Sequence, residues 1–377
     1  MSQALTKQAA LPQALLPSGF MDRLPPLAAQ ELELTQRLLK HFTGFGYNPV
    51  TPPLAEYSET MLAGLSDEAA KRYLQVMDPL SGNMLALRAD MTGQISRIAA
   101  TTLKDAARPL RLCYAGPRIS AIPAALQAQR QSLQIGLEYI GEADFYAVAE
   151  LLAVSCHSLS AYSLGELTID ISYPPLLNAL IGSFPEDKRA EIRDAVANKN
   201  VQALRAHGAT IPAALLEAAG SIADVTSALH ALGDDVMQVI AAKLTELGAA
   251  LDEKNIDANI HVDLLEHTDT EYYNGFAFAL FCSKPGMELG RGGMYRIGEE
   301  DSVGFTFYMD DVLAHLPAPK EKPLVALPAE LSCEEAELIQ KQGYRTVFVR
   351  DMDAASLDAM GVGYVWRSGK ITIVTTE

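Results

Sequence analysis

Apolar positions along the chain switch between two periods, and the switches mark out its elements. Residues 1–16 read as a loose arm. Between Pro25 and Phe42, Leu27, Leu32, Leu34, Leu38, Leu39 and Phe42 recur at helical spacing, while Glu31, Glu33, Arg37 and Lys40 give a wet face. That predicts an amphipathic helix, stopped by Gly44 and Gly46. The Pro-interrupted stretch 47–57 reads as an edge strand or an ordered connection. Residues 84–87, 111–115 and 134–140 read as strands, with one helix over 90–107 and a longer one over 145–164; 167–172 is again extended.

The texture then changes. Residues 174–254 are Ala-rich and amphipathic in short runs, with breaks expected at Gly208, Gly220, Gly233 and Gly248. Strand-like segments return at 260–264, 275–281, 293–297 and 303–307, with a turn expected over 286–293 and a helix start at 310–315. Pro317, Pro319 and Pro323 mark a linker. In the tail, strands at 324–327, 346–349 and 371–374 alternate with a helix over 332–342, capped by Ser332 with Glu335 three residues on, and with a shorter helix. The expected class is α+β: an antiparallel sheet with flanking helices over 1–173 and 259–316, a helical insertion over 174–258, and a small α/β domain over 320–377.

Composition narrows the function. The 377 residues carry a formal charge of −17, with a sequence pI of about 4.9. Such a surface repels nucleic-acid phosphates and anionic lipid. Cys113, Cys156, Cys282 and Cys333 are far apart with no C-x-x-C pair, so reduced, mostly buried thiols are expected rather than zinc or a disulfide framework. The N-terminus makes a poor signal peptide, and the longest uncharged run, 151–165, is too short and too polar to span a bilayer. A cytoplasmic protein with no membrane partner is the expectation.

Four segments carry polar residues that a plain core strand would not need. In Leu87-Arg88-Ala89-Asp90-Met91-Thr92, Asp90 and Thr92 stand at a strand-to-helix junction, where an Asp either caps the helix or faces a ligand. In the strand over 134–140, Gln134, Gly136 and Glu138 share one face, either a solvated row or a hollow with a polar rim. In His267 to Gly275, the pair Tyr272-Tyr273 either packs or stacks on a flat polar ligand. Gly290-Arg291-Gly292-Gly293 lacks the phosphate-loop pattern and reads as a hairpin turn. There is no H-E-x-x-H, no G-x-S-x-G and no paired Cys/His cluster, so no metal, cofactor or catalytic residue is assigned.

Taken in order, these segments resemble the catalytic domain of a class II histidyl-tRNA synthetase. Pro17 to Asp22 is similar to that family's start. Phe45-Gly46-Tyr47 through Glu56 is similar to its dimer-forming first motif, and Leu87–Thr92 to its Leu-Arg-Pro-Glu-Gly-Thr. Tyr114-Ala115-Gly116-Pro117 through residues 134–141 resembles its second motif. Tyr272-Tyr273-Asn274 and Gly292-Gly293-Met294-Tyr295 resemble its family-specific motifs. The resemblance implies that Asp90, Thr92 and Gln134 hold an α-ammonium, that Glu138 and the Tyr272/Tyr273 pair hold an imidazole, and that Arg130 meets the carboxylate of L-histidine.

The departures are specific. The resemblance places the family's adenylation residues on Ser120, Ile122, Thr268 and Asp311, with Asp310 beside it. Losing one preorganised cation typically costs ~10²–10³-fold in rate, so adenylation is expected to be dead. A synthetase body that keeps the amino-acid side and loses the ATP clamp resembles the regulatory subunits of ATP phosphoribosyltransferase. That implies a non-enzymatic partner of a short catalytic subunit in a hetero-oligomer, itself dimerising through the first-motif region, sensing histidine and binding no tRNA. A divergent histidyl-tRNA synthetase is the second reading, and a scaffold without a ligand the third.

Overall fold

The computed structural model describes residues 16–122, 129–162, 164–266, 272–283, 287–317, 322–350, 353–367 and 369–374. The chain divides into one unit ending at Pro317 and a second from Ala318 to Glu377.

The first unit opens with α1 (Leu27–Gly44), which buries Leu34, Leu38 and Phe42 along one stripe. Then come β1 (Asn48–Pro49), β2 (Ala55–Tyr57), α2 (Ser58–Met61), α3 (Asp67–Ala70), β3 (Gln75–Met77), β4 (Met84–Leu87) and α4 (Thr92–Ala100). The long hairpin β5 (Leu110–Ile119) and β6 (Gln131–Ile140) follows, then α5 (Phe145–Leu159) and β7 (Leu167–Ser172). The helical block is α6 (Pro174–Gly182), α7 (Glu186–Ala197), α8 (Val201–Ala206), α9 (Thr210–Glu217), α10 (Ile222–Leu232) and α11 (Asp235–Lys254). The chain returns through β8 (Asn259–Val262), β9 (Ala277–Cys282), β10 (Glu288–Ile297), β11 (Glu300–Tyr308) and α12 (Met309–His315).

Eight of these strands form one sheet in the order β1-β5-β6-β11-β10-β9-β7-β8. Its inner pairs are antiparallel, and parallel pairs β1–β5 and β7–β8 close the two edges. A smaller sheet, β2-β4-β3, lies beside it in sequence, with β2 and β3 both antiparallel to β4. Alternation divides the faces of the large sheet. Ile135 and Leu137 of β6, with Phe305 and Phe307 of β11, enter the main core with α1 and α5. The opposite face carries Gln134, Gly136 and Glu138, and its second core packs Met91, Ile95 and Ala99 of the α4 region against Leu112, Tyr114 and Ile140. The helical block does not pack separately: Leu204, Leu229, Ile240 and Leu244 belong to the same core as the sheet.

Most breaks in that block fall on glycine. Gly208 and Gly233 have positive φ, and Gly233 closes α10 in the left-handed conformation that favours glycine. Gly248 corrects the expectation. It lies inside α11 against Ile222, where a Cβ would come within 3.2 Å, so it serves close helix packing rather than a break.

In the second unit, β12 (Leu324–Pro328), α13 (Cys333–Gln340), β13 (Arg345–Val349), α14 (Ala354–Ala359), β14 (Tyr364–Arg367) and β15 (Lys370–Ile373) form an α/β unit. Its sheet order is β13-β12-β14-β15, parallel except for the last pair. Ser332 and Glu335 make the expected reciprocal cap on α13. β14 is a strand beyond those that the local pattern predicts. Cys113, Cys156 and Cys282 are buried and free, and Cys333 is exposed and free. Among the described residues, no helix is long and apolar enough to cross a membrane.

Candidate functional site

The pleat assembles the site. Register places Gly293, Gly304 and Glu138 in one row across β10, β11 and β6, and Arg291, Thr306 and Gly136 in the next. Tyr308 and Gln134 form a third row. Period-two alternation turns all these positions to one face, so β10, β11 and β6 make a shared floor. Glycines keep that floor low. A Cβ on Gly304 would sit 1.8 Å from Glu138 Oε2, one on Gly293 2.7 Å from the Tyr273 ring, and one on Gly136 2.4 Å from the Tyr114 hydroxyl. Each glycine gives up side-chain packing so that a neighbour can lie across the strand.

Glu138 sits at the bottom, fully buried at 0% exposure. Its Oε1 accepts from the Thr92 hydroxyl (3.1 Å) and the Tyr114 hydroxyl (3.1 Å); its Oε2 accepts from Tyr295 (2.8 Å). A carboxyl has about four hydrogen-bonding positions, so one remains on Oε2, an acceptor in the carboxylate and the place for the O–H in the acid. Burial pushes the Glu138 carboxyl up to about 8, against the pull of the Tyr295, Thr92 and Tyr114 hydroxyls and with a further push from Asp90. Near neutral pH it therefore keeps a proton. The buried Tyr114 and Tyr295 phenols are also pushed up, chiefly by burial and then by Glu138.

One end of the cleft is held by the junction before α4. Asp90 Oδ1 accepts from the Thr92 amide at 2.7 Å, and its Oδ2 accepts from Gln134 Nε2 at 3.1 Å. Gln134 Oε1 in turn accepts from the Met91 amide (2.9 Å), and its Nε2 reaches Thr306 (3.3 Å). Asp90 thus both orders the helix start and lines the cleft; the two readings of it coexist. Gln134 is also 0% exposed, which removes the solvated-row reading of 134–138. Beneath this junction, buried Arg88 donates to the carbonyls of Pro117 (2.7 Å) and Pro52 (3.0 Å), tying β4 to β5.

Tyr272, Tyr273 and Tyr295 form the wall. Tyr272 meets Tyr273 edge-on at 5.2 Å and Tyr295 at 5.8 Å. The resulting cleft holds about 330 Å³ of empty space including its mouth, lined by Asp90, Thr92, Glu138, Tyr272, Tyr273 and Arg291 among others. Its lining is predominantly polar, with two carboxyls, a threonine pair and four tyrosines around it. Among the described residues, no His/Cys/Asp/Glu group could hold a metal.

The comparisons with known proteins bear on this cleft. The histidyl-tRNA synthetase family model matches residues 19–312. An ATP phosphoribosyltransferase regulatory subunit from Rhodospirillum centenum is 35% identical, covering 95% of this chain and 96% of its own. One from Paramagnetospirillum magneticum is 36% identical over 97% and 98%. This chain belongs to the family of ATP phosphoribosyltransferase regulatory subunits. Solved structures agree in fold. A Bacillus halodurans protein described as an ATP phosphoribosyltransferase regulatory subunit/histidyl-tRNA synthetase superposes with a TM-score of 0.77 at 24% identity, covering 92% of this chain and 96% of that one. A Nostoc histidyl-tRNA synthetase gives 0.74 at 16% identity, covering 93% and 90%. The class II synthetase-like α+β fold expected from the sequence is the fold found.

In this regulatory-subunit chain, five of the seven expected site residues line the cleft, namely Asp90, Thr92, Glu138, Tyr272 and Tyr273, and Gln134 braces it. Arg130 does not reach it. Four residues along β6 from Gln134 is about 13 Å of strand rise. There its Nε donates to Ser120 O at 3.0 Å and its guanidinium covers the Phe20 ring at 5.1 Å. The turn expected at Gly290–Gly293 is likewise corrected, since these residues lie in the interior of β10, with Gly292 pressed against Gly304 and Phe278. Tyr114, Tyr295, Thr306 and Arg291 also belong to the site, and local pattern alone assigns them no role in it. Their signal was strand alternation, which needed the β10–β11–β6 pairing to become legible.

At the positions matching the adenylation residues, Ser120 Oγ donates to Ile122 O (2.5 Å) and Ile122 is half exposed. Asp310, in the first turn of α12, is ion-paired with Arg23. Thr268 lies outside the described residues. A larger groove runs along α5 and the end of α11, past His157, Lys254 and Asp257, and none of the four polar segments contributes to it.

Proposed function

We propose that this chain is the non-catalytic half of a hetero-oligomeric ATP phosphoribosyltransferase and senses L-histidine in the cleft above Glu138. In this reading the imidazole lies against the remaining Oε2 position of Glu138 between the tyrosines, and the α-ammonium faces Asp90, Thr92 and Gln134. The transferase chemistry belongs to a short catalytic subunit, and histidine acts by binding two states of the complex unequally. The carrying observation is a fully buried carboxyl with three hydroxyl partners and one position left on Oε2, at the floor of a cleft lined by Asp90, Thr92 and the tyrosines. Self-association through the first-motif region, where Phe45, Leu54 and Tyr57 expose apolar surface, and a cytoplasmic location complete the reading.

The reading excludes aminoacylation. Ser120, Ile122 and the Asp310/Asp311 pair support this, since none supplies a cation for a triphosphate. The test is co-purification with a short catalytic subunit, then a transferase assay with and without histidine. Activity that depends on this chain and falls with histidine is the expected result. Unchanged activity sinks the proposal, and histidine-dependent ATP–pyrophosphate exchange by the chain alone would favour a synthetase instead.

A further inference from the structure

Resting on that reading, we infer that Arg291 receives the carboxylate of the amino acid and that Glu288 positions Arg291 for it. An amino acid carries its carboxylate and ammonium on one carbon. A cation placed to receive that carboxylate would stand at the same end of the cleft as Asp90, on another wall. Arg291 stands there. It is the single cation among the described residues lining the cleft. Its row, Arg291–Thr306–Gly136, is one step from the Glu138 row, about 7 Å along the strands, toward the row of Gln134. Asp90 bonds Gln134 from the β5–β6 side, and Arg291 projects from β10, so the two charges flank the same end of the floor.

The guanidinium is half committed. Nε and Nη2 both bond Glu288, at 2.6 Å each, and Nη1 has no hydrogen-bond partner among the described residues. A planar fork gripped along one edge keeps its remaining donors in a fixed direction, which suits a second carboxylate. Glu288 is three residues away on the same strand, at the bulge where the β9–β10 register shifts. That irregularity brings its carboxylate back toward Arg291. Arg130, expected in this role, is engaged with Ser120 and Phe20 instead.

The test is calorimetry of the full chain with L-histidine and with histamine, which keeps the ring and ammonium but lacks the carboxylate. Wild type is expected to prefer histidine by about 10–100-fold, the range of a charge-assisted hydrogen bond. Arg291→Gln should erase that preference and leave histamine affinity nearly as it was. Arg291→Lys should restore part of it, and Glu288→Gln should fall between. A preference that survives in Arg291→Gln overturns the inference. So does equal loss of both ligands in a variant that melts normally, because that assigns Arg291 a bracing role only. If wild type binds neither ligand, the histidine reading itself falls, and this inference with it.

Discussion

The two ends of the β5–β6 hairpin differ in how tightly their polar side chains are held. At the Glu138 end, Tyr114, Gln134 and Glu138 are buried, and each bonds to residues on other elements: α4, β10 or β11. At the turn end, the Ser120 backbone pairs with Arg130, but its hydroxyl bonds only the Ile122 carbonyl two residues on, and Ile122 is half exposed. A network whose members satisfy one another resists piecemeal change, because removing one partner leaves another buried and unpaired. A residue bonded to its own loop can be exchanged at little cost. Under the proposed reading, this contrast is why a synthetase-like body could drop its phosphate end without losing its fold while the amino-acid end stays coupled to the sheet.

The largest effect is expected from breaking the tight end. Gly304→Ala places a Cβ against Glu138, with the strand backbone fixed by pairing on both sides. We expect about 1–3 kcal/mol of destabilisation by chemical denaturation. Histidine binding should be lost altogether in calorimetry.

Glu138→Gln sharpens the comparison through pH. Glu138 keeps its proton to about 8 in the folded chain, against 4.5 ordinarily. Its contribution to stability is therefore complete below about 4.5 and is lost as pH rises through about 8. Melting temperatures should fall across that window in wild type, and the Gln variant should flatten this part of the profile. Ligand affinity adds a second sign. A carboxyl–imidazole contact holds one proton between the two groups, so binding must release a proton below the free imidazole pKa of about 6.5 and take one up above about 8. The affinity for histidine should peak between, and the Gln variant should lose the alkaline limb.

Tyr295→Phe removes one of the three hydroxyl donors to Glu138. We expect about 1–2 kcal/mol lost in stability. The alkaline limb should move to higher pH, because that bond favours the ionised carboxylate. The smallest effect is expected at the loose end. Ser120→Ala should stay within about 0.5 kcal/mol of wild type, with histidine binding unchanged. A Ser120→Ala loss comparable with that of Tyr295→Phe would erase the contrast.

Much of this architecture is legible in the sequence where period and face coincide. Alternation over 134–140 places Gln134, Gly136 and Glu138 together, and they do share the cleft face. The helix over α1, the cap at Ser332 and the helical block follow equally from local pattern. What stayed hidden depends on neighbours distant in sequence. A run such as Gly290 to Gly293 signals either a turn or a close approach, and only β11 and Phe278 beside it decide for the second. Tyr114 and Tyr295 look like ordinary strand aromatics until register puts both hydroxyls on one carboxyl. Arg130 lies just before β6, four residues from Gln134, and is engaged elsewhere.

The most direct measurement is transferase activity of the reconstituted complex against histidine concentration, wild type beside Glu138→Gln. If the cleft is the sensor, both complexes are active without histidine, wild type is inhibited, and the Gln variant needs at least about 10-fold more histidine for the same inhibition. Identical inhibition curves for the two would contradict the assignment of the cleft.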